Sequence, residues 1–178
     1  MKILNKNVYS ASVYAKNLQK LIRGIKYHNQ TELAHFQAKI MYDFWQTLPV
    51  SEEKFVIVPV PLHKKRLKDR KYNHMALVAE EFAKFTGYTL NDNLIHRIKE
   101  TKPQYRLSIK EREANLKDAF KVDKSSYDGE NLLIIDDILT TGSTLKAMIQ
   151  TFIDADIYNI TAFTTSCTES HTVRQETL

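Results

Sequence analysis

The segment 132–144 constrains the fold of this chain more than any other. It reads Leu-Leu-Ile-Ile-Asp-Asp-Ile-Leu-Thr-Thr-Gly-Ser-Thr, with four apolar residues, two adjacent carboxylates and a hydroxyl-rich turn that holds one glycine. The apolar run predicts a buried strand over 132–135, and helical spacing from Ser143 predicts a helix over 143–155. A strand that leads through a polar turn into a helix is typical of a parallel α/β sheet, in which ligands bind at the carboxyl ends of the strands.

The turn offers the groups that a phosphate requires. Its backbone N–H groups lie at a predicted helix N-terminus, where unpaired donors and partial positive charge favour an anion. Gly142 permits a backbone bend that a side chain would resist. The candidate phosphate-binding residues are Thr140, Thr141, Gly142, Ser143 and Thr144.

The two acids before the turn need a different partner. Asp136 and Asp137 are anionic and do not favour a phosphate directly, so we expect them to face sugar hydroxyls or a Mg²⁺-bound sugar. The combination predicts a sugar phosphate ligand. The alternative is that the acids only end a strand and that Ser143 or Thr144 caps a helix. The order of these features after a buried strand favours the ligand.

Composition sets broad limits. The 178 residues suffice for one domain with a core. No apolar run approaches the roughly 18–20 residues of a membrane span, and the N-terminus lacks the apolar core of a signal peptide, so we expect a cytoplasmic protein without membrane insertion. Cys167 is the one cysteine, which excludes an internal disulfide and a cysteine-built zinc site. The net charge of +5 is compatible with a phosphorylated ligand or with nucleic acid, and does not choose between them.

The rest of the chain alternates between helical and strand patterns, which favours an α/β fold with a mainly parallel sheet. Residues 1–50 contain two amphipathic helical patterns and are predicted to form an N-terminal helical cap that is not an independent domain. Residues 51–168 are the predicted core and 169–178 a polar tail. Within the core, we predict strands at 55–60, 94–98, 119–122 and 158–164, and helices at 72–86 and from Ser108.

A basic segment follows the first predicted core strand. At the carboxyl end of a parallel strand its cations would meet a pyrophosphate, and the arginine fork suits two phosphate oxygens. The candidates are His63, Lys64, Lys65, Arg66 and Arg70. A solvated basic loop and a nucleic-acid contact are the alternatives.

A second charged segment, 97–115, is broken by Pro103. It has the composition of a loop that closes over a charged ligand, with Lys102, Gln104 and Arg112 as candidate contacts. A surface connection that ends in an ordinary helix is the alternative.

Two resemblances follow from these motifs. Segment 132–144 resembles the 5-phosphoribosyl-1-pyrophosphate (PRPP) motif of type I phosphoribosyltransferases. Val58-Pro-Val-Pro-Leu-His63, Thr101-Lys-Pro-Gln104 and Leu21-Ile-Arg-Gly-Ile-Lys-Tyr27 resemble the competence protein F (ComF) family. The usual Arg-Gly-Phe-Asn-Gln of that family stands here as Arg70-Lys71-Tyr72-Asn73-His74, without the glycine and the glutamine.

The resemblance implies a fold and a site. The fold is an α/β, type I phosphoribosyltransferase-like domain, a mainly parallel sheet flanked by helices with the N-terminal helical cap. Asp136 and Asp137 would be the catalytic pair that holds the ribose hydroxyls, and the turn 140–144 would hold the 5-phosphate. Mg²⁺ is the implied cofactor, bound mainly through PRPP oxygens and water, with Asp136 and Asp137 as the candidate protein ligands.

The resemblance also implies a role in DNA uptake and natural transformation, with single-stranded DNA and other competence proteins as partners. The implied chemistry is displacement of pyrophosphate from carbon 1 of PRPP. A PRPP-responsive or DNA-associated competence factor without turnover is one alternative, and a nucleobase salvage phosphoribosyltransferase is another. The acceptor and the oligomeric state are not determined by the sequence.

Overall fold

A six-stranded sheet forms the centre of the protein. The computed structural model describes residues 1–100 and 109–168, with the backbone alone at 109, 110, 112 and 113. Numbered along the chain, the strands are β1 (Lys2–Ile3), β2 (Lys6–Val13), β3 (Val56–Pro59), β4 (Thr89–Leu90), β5 (Ile95–Arg97), β6 (Phe120–Val122), β7 (Leu132–Leu139) and β8 (Ile160–Cys167). The sheet has the order β1-β2-β8-β7-β3-β4, and every neighbouring pair except β1–β2 is parallel. β5 and β6 form a separate antiparallel ribbon.

Six α-helices accompany these strands within the described residues. They are α1 (Lys16–Tyr27), α2 (Leu33–Trp45), α3 (Lys64–Arg70), α4 (His74–Thr86), α5 (Ile109–Leu116) and α6 (Ser143–Ile153). None of the helices in residues 1–100 and 109–168 combines the length and the apolar character that a membrane crossing requires.

Strand alternation divides the core into two layers. Leu132 and Ile134 of β7 pack with α6 and the β5–β6 ribbon on one face. Leu133 and Ile135 face the other way and pack with α2 and α4, around the buried Trp45. Because successive side chains of a strand point to opposite faces, the apolar run 132–135 of β7 needs helices on both sides. The predicted α/β architecture with a mainly parallel sheet is confirmed.

The N-terminal residues contribute more than the two predicted helices. The helices are confirmed as α1 and α2, but β1 and β2 precede them, and β2 joins the sheet beside β8. This strand was not predicted because serines interrupt its apolar pattern: Ser10 and Ser12 follow the buried Val8 on one face. Ser10 Oγ lies 2.7 Å from Thr164 Oγ1, and Ser12 Oγ donates to the carbonyl of Thr165 over 3.0 Å. Side-chain hydrogen bonds to β8 therefore replace the apolar pattern that identifies a strand in sequence.

β7 continues four residues beyond its predicted end, and this places both acids inside a strand. β8 runs beside it as far as the Leu139–Cys167 pair. On its other edge, pairing with β3 ends at Pro59–Ile135, since the chain turns away at Pro61, which has no N–H to donate. From Asp136 onward β7 therefore has a neighbour on one edge only, and a crevice opens on the other.

The remaining predicted elements agree with the structure. Gly87 ends α4 as expected, with a positive φ of 72° and its N–H bonded to the carbonyl of Ala83. Residues 101–108 and the predicted tail 169–178 lie outside the described residues.

Candidate functional site

A cavity of about 490 Å³ lies in this crevice beyond the end of β3. Its walls come from α1, α3, the start of α4, β5, β7 and the turn before α6. Its charged lining residues are Arg23, Lys26, Arg66, Arg70, Arg97, Asp136 and Asp137. Five cations therefore face two carboxylates, an arrangement that favours a polyanion over a neutral ligand.

Asp137 is the more enclosed of the two acids, with 7% of its surface exposed. Its Oδ2 receives Lys26 Nζ from α1 and His74 Nε2, at 3.0 Å, from α4. Its Oδ1 accepts the Ile138 N–H over 2.7 Å. The carboxylate is thus fixed by three donors from three parts of the fold.

Asp136 points to the opposite side of β7, since neighbouring strand residues alternate. Its Oδ1 accepts the Asp137 N–H over 2.9 Å. Burial raises the pKa of Asp136 to about 6, and the nearby charges of Lys26 and Arg97 only partly oppose this effect. The carboxylate is therefore ionised at neutral pH but costly to hold in that state, and a hydrogen-bonding ligand would relieve the cost.

The same enclosure affects the basic side chains. Burial lowers the pKa of Lys26 to about 8, with Arg70 and Arg66 adding to the shift and Asp136 opposing it. Burial, together with the charges of Lys26 and Arg70, lowers the pKa of His74 well below its ordinary value. His74 is therefore neutral at physiological pH. Burial also lowers the pKa of Arg97 to about 10, which leaves its guanidinium charged.

The turn between β7 and α6 has the conformation that the sequence predicted. Gly142 precedes α6 with a φ of +73°, and an added Cβ would lie 2.9 Å from Ile3 Cδ1. Thr141 Oγ1 and Ser143 Oγ are 2.8 Å apart, which fixes the turn from within. Thr140 and Thr144 line the cavity, and all the candidate residues except Thr141 border a small depression beside Asp136. Thr140 and Thr144 thus share the cavity with both acids, and Gly142 and Ser143 lie beside Asp136.

The basic segment divides between two places. Arg66 and Arg70 lie four residues apart on α3 and both line the cavity with the acids. His63 instead caps α3, accepting the Lys65 N–H at Nδ1 over 3.3 Å, and lines an adjoining cavity of about 780 Å³ with Lys64. Lys65 pairs at the surface with Glu100, at 2.8 Å. The structure therefore brings two of the five candidates to the carboxylates.

The candidates of the second charged segment lie outside the side chains that the structure describes. Lys102 and Gln104 lie outside the described residues, and Arg112 belongs to α5 but its side chain is not described.

The lining residues that the sequence analysis did not name as site candidates include Arg23, Lys26, Tyr27 and His74. Lys26 follows the buried Ile22 at a spacing of four and directly follows the buried Ile25, so a cation beside the apolar stripe of α1 was an available signal. Tyr27 lies beside it, and its ring is 5.3 Å from Arg70 Cζ. For His74, at the start of a helix, the sequence offers no such signal.

A divalent cation at this site would need ligands from outside the chain. Within the described residues, no three histidine, cysteine or acidic side chains converge as a metal site. The donor set in the cavity is the carboxylate pair, and Asp137 is already occupied by Lys26 and His74. A single pair of carboxylates would suit Mg²⁺, because this ion commonly takes most of its ligands from water and phosphate oxygens.

Comparison with known proteins identifies relatives of this chain. Residues 86–169 match the family described as phosphoribosyl transferase domain. The chain is 32% identical over 143 residues to competence protein F of Haemophilus influenzae, covering 75% of this chain and 60% of that protein. It is 30% identical over 147 residues to DNA utilization protein YhgH of Salmonella typhi, covering 79% and 63%. It is 27% identical over 143 residues to competence protein ComFC of Bacillus subtilis, covering 79% and 54%.

A solved structure supports the fold. The adenine phosphoribosyl transferase of Trypanosoma brucei matches with a TM-score of 0.51 over 98% of this chain and 90% of that one, at 12% identity. The chain spans about three fifths of the length of competence protein F and of YhgH. The expected resemblance to the ComF family is confirmed: this chain is similar over most of its length to competence protein F, YhgH and ComFC, residues 86–169 match the phosphoribosyl transferase domain family, and the fold is that of type I phosphoribosyltransferases.

Proposed function

We propose that this chain binds PRPP with Mg²⁺ in the 490 Å³ cavity and acts as a phosphoribosyltransferase-type protein in the uptake or use of DNA. The names of its relatives, competence protein F and DNA utilization protein, support the second part. Single-stranded DNA and other competence proteins are the partners that this role implies.

One observation carries the ligand assignment. A carboxylate pair on β7 adjoins a turn at a helix N-terminus and faces arginines from a different helix. PRPP has a phosphate at one end, ribose hydroxyls between and a diphosphate at the other end. The turn 140–144 fits the 5-phosphate, Asp136 fits the hydroxyls as acceptor, and Arg66 and Arg70 fit the diphosphate.

The chemistry that this arrangement favours is departure of the diphosphate from carbon 1. Positive charge develops on the ribose ring and negative charge on the leaving group, as in other glycosyl transfers. The anionic Asp136 and Asp137 stabilise the developing positive charge, and Arg66 and Arg70 stabilise the developing negative charge. Mg²⁺ would add neutralisation of the diphosphate, with Asp136 as the carboxylate best placed to contact its hydration shell. The protein otherwise binds, orients and excludes water.

Calorimetric titration of the protein with PRPP, with and without Mg²⁺, tests the ligand assignment. We expect saturable, Mg²⁺-dependent binding by the wild type that is lost in Asp136→Asn. The matched control is Asp43→Asn, which removes an exposed carboxylate of α2 that pairs with Lys39. Well-folded wild type that does not bind PRPP would overturn the proposal.

Asp136→Asn should remain folded, which keeps the test interpretable. The pKa of Asp136 in the folded protein, about 6, exceeds the ordinary value of 3.8. Ionisation of this carboxyl therefore lowers the free energy of unfolding, by an amount that grows as pH rises from about 4 to 6 and stays constant above that. Two pKa units correspond to about 2–3 kcal/mol. A neutral amide avoids that cost, so we expect thermal unfolding at neutral pH to shift upward in the variant that no longer binds.

Release of pyrophosphate in the presence of added acceptors separates catalysis from binding. Turnover with a nucleobase would indicate salvage, and turnover with single-stranded DNA would indicate a role of the DNA as acceptor. Binding without turnover across nucleobase and DNA acceptors would favour a PRPP-responsive factor.

A further inference from the structure

His74 joins the two halves of the candidate site through its ring. It is the first residue of α4, with 5% of its surface exposed. Nε2 lies 3.0 Å from Asp137 Oδ2 on β7, and Nδ1 lies 3.4 Å from Arg70 Nη1 on α3. The imidazole therefore links a carboxylate assigned to the sugar with a guanidinium assigned to the diphosphate.

These contacts select one tautomer of the ring. A guanidinium can only donate, so Nδ1 must be the acceptor and carry no proton. The carboxylate can only accept, so Nε2 must carry the proton. Burial and the neighbouring charges of Lys26 and Arg70 keep the ring from gaining a second proton. The two contacts are thus satisfied together by the neutral Nε2–H form.

The neighbouring contacts show what the ring holds in place. Asp137 Oδ2 also receives Lys26 from α1, and Tyr27 of the same helix covers the guanidinium of Arg70. Without His74, Asp137 would keep donors from α1 and from its own strand, but nothing from α4. Arg70 would keep the ring of Tyr27, which is 64% exposed and sets no hydrogen-bond direction.

We infer that His74 is a positioning residue whose single tautomer orients Arg70 and Asp137 toward the two ends of one phosphoribosyl diphosphate ligand. The identity of that ligand rests on the proposed function. The link between Arg70, His74 and Asp137 rests on the geometry alone, so the two can fail separately.

Two substitutions separate positioning from simple space filling. His74→Gln keeps one N–H donor and one acceptor at similar reach, so it can join the same two partners. His74→Leu fills comparable space but offers neither. We expect PRPP affinity within about threefold of wild type for His74→Gln, and a loss of tenfold or more for His74→Leu, from the lost hydrogen bonds to charged groups. Equal losses in the two variants would overturn the inference.

A double-variant cycle with Arg70→Gln tests the link to the diphosphate. If His74 acts through Arg70, the two substitutions affect the same interaction. The factor by which the double variant loses PRPP affinity should then be at least about five times smaller than the product of the two single factors. Simple multiplication of the losses would contradict the inference. His35→Leu is the matched control, because His35 also contacts a carboxylate, Glu81 at 2.8 Å, but lies at the surface away from the cavity.

The nitrogen-15 resonances of the His74 ring provide a test without any ligand. We expect an unprotonated Nδ1 and a protonated Nε2 at neutral pH. A ring with the proton on Nδ1 would refute the inference even if PRPP binds. If the wild type does not bind PRPP but the expected tautomer is found, the proposed function fails and the structural link stands.

Discussion

Lys26 of α1 and Asp137 of β7 form an ion pair at the wall of the cavity, between Nζ and Oδ2. The two residues are far apart in the chain, and their side chains are only 18% and 10% exposed. The first helix therefore supplies a cation to a candidate site whose acids and hydroxyl-rich turn come from the C-terminal part of the chain. α1 is consequently part of the site and not only a cover over it.

Lys26→Met should weaken both the site and the fold. The substitution leaves Asp137 enclosed with one side-chain donor fewer, and breaking a largely buried ion pair costs about 3 kcal/mol. We expect a lower free energy of unfolding in denaturant titration and weaker PRPP binding by calorimetry. Lys39→Met, which removes the exposed partner of Asp43, is the control and should bind normally. Unchanged PRPP affinity in Lys26→Met would show that this cation does not serve the ligand.

PRPP binding should fall at alkaline pH. The ligand is a polyanion and Lys26 favours it only when charged, so affinity declines as pH rises through its pKa of about 8. At acid pH, Asp136 becomes protonated as pH falls through its pKa of about 6, which removes an acceptor for the ribose hydroxyls. The phosphate of the ligand also gains a proton at about pH 6, so the two effects overlap.

The decline in PRPP affinity at alkaline pH is therefore easier to interpret than the decline at acid pH. It is measured by calorimetry at constant ionic strength. It should disappear in Lys26→Met, whose lower affinity should be independent of pH above neutrality. A decline that persists unchanged in that variant would assign it to another group.

Lys71→Gly should stabilise the protein. Lys71 ends α3 with a φ of 69°, and its N–H bonds to the carbonyl of Leu67 over 2.7 Å. This left-handed conformation costs a residue with a Cβ about 1 kcal/mol, and glycine avoids that cost. The midpoint temperature of thermal unfolding should therefore rise. Lys68→Gly, inside the same helix, is the control and should cost about 1 kcal/mol. A loss of stability in Lys71→Gly would show that its side chain outweighs the backbone cost.

Gly142→Ala should distort the phosphate turn and abolish PRPP binding. Gly142 has a φ of +73°, and the new Cβ would lie 2.9 Å from Ile3 Cδ1 and 3.6 Å from Leu139 Cδ1. Adding Ile3→Ala should restore part of the binding by removing the nearest atom. Calorimetry with PRPP measures both variants.

Gly129→Ala is the control for the backbone alone. Gly129 has a φ of +93° and no atom within 4 Å of an added Cβ. We expect it to lose about 1 kcal/mol of stability with PRPP binding intact. Normal binding by Gly142→Ala would mean that the turn does not need its present conformation.

Local sequence was sufficient for much of the fold. The apolar run of β7, the helical stripes of α1 and α2 and the glycine after α4 are patterns that depend on neighbouring residues, so the elements follow from them directly. β2 escaped prediction because its serines are satisfied by β8, a partner more than 150 residues away. The extension of β7 past Ile135 likewise depends on β8, which continues to pair with it.

The sequence by itself determined the residue types of the site, namely two adjacent acids, a hydroxyl-rich turn with a glycine and an earlier run of cations. The acids and the turn are contiguous in the chain and the cations form a run of their own, and the chemistry of these residue types does not depend on where they fold. Only the tertiary structure decided which cations face the acids. Arg66 and Arg70 reach the cavity because helical periodicity turns them inward, while Lys65 turns out toward Glu100. Lys26 and His74 reach Asp137 because α1 and α4 pack beside β7, and the direction of a side chain across such a contact is set by packing between distant segments.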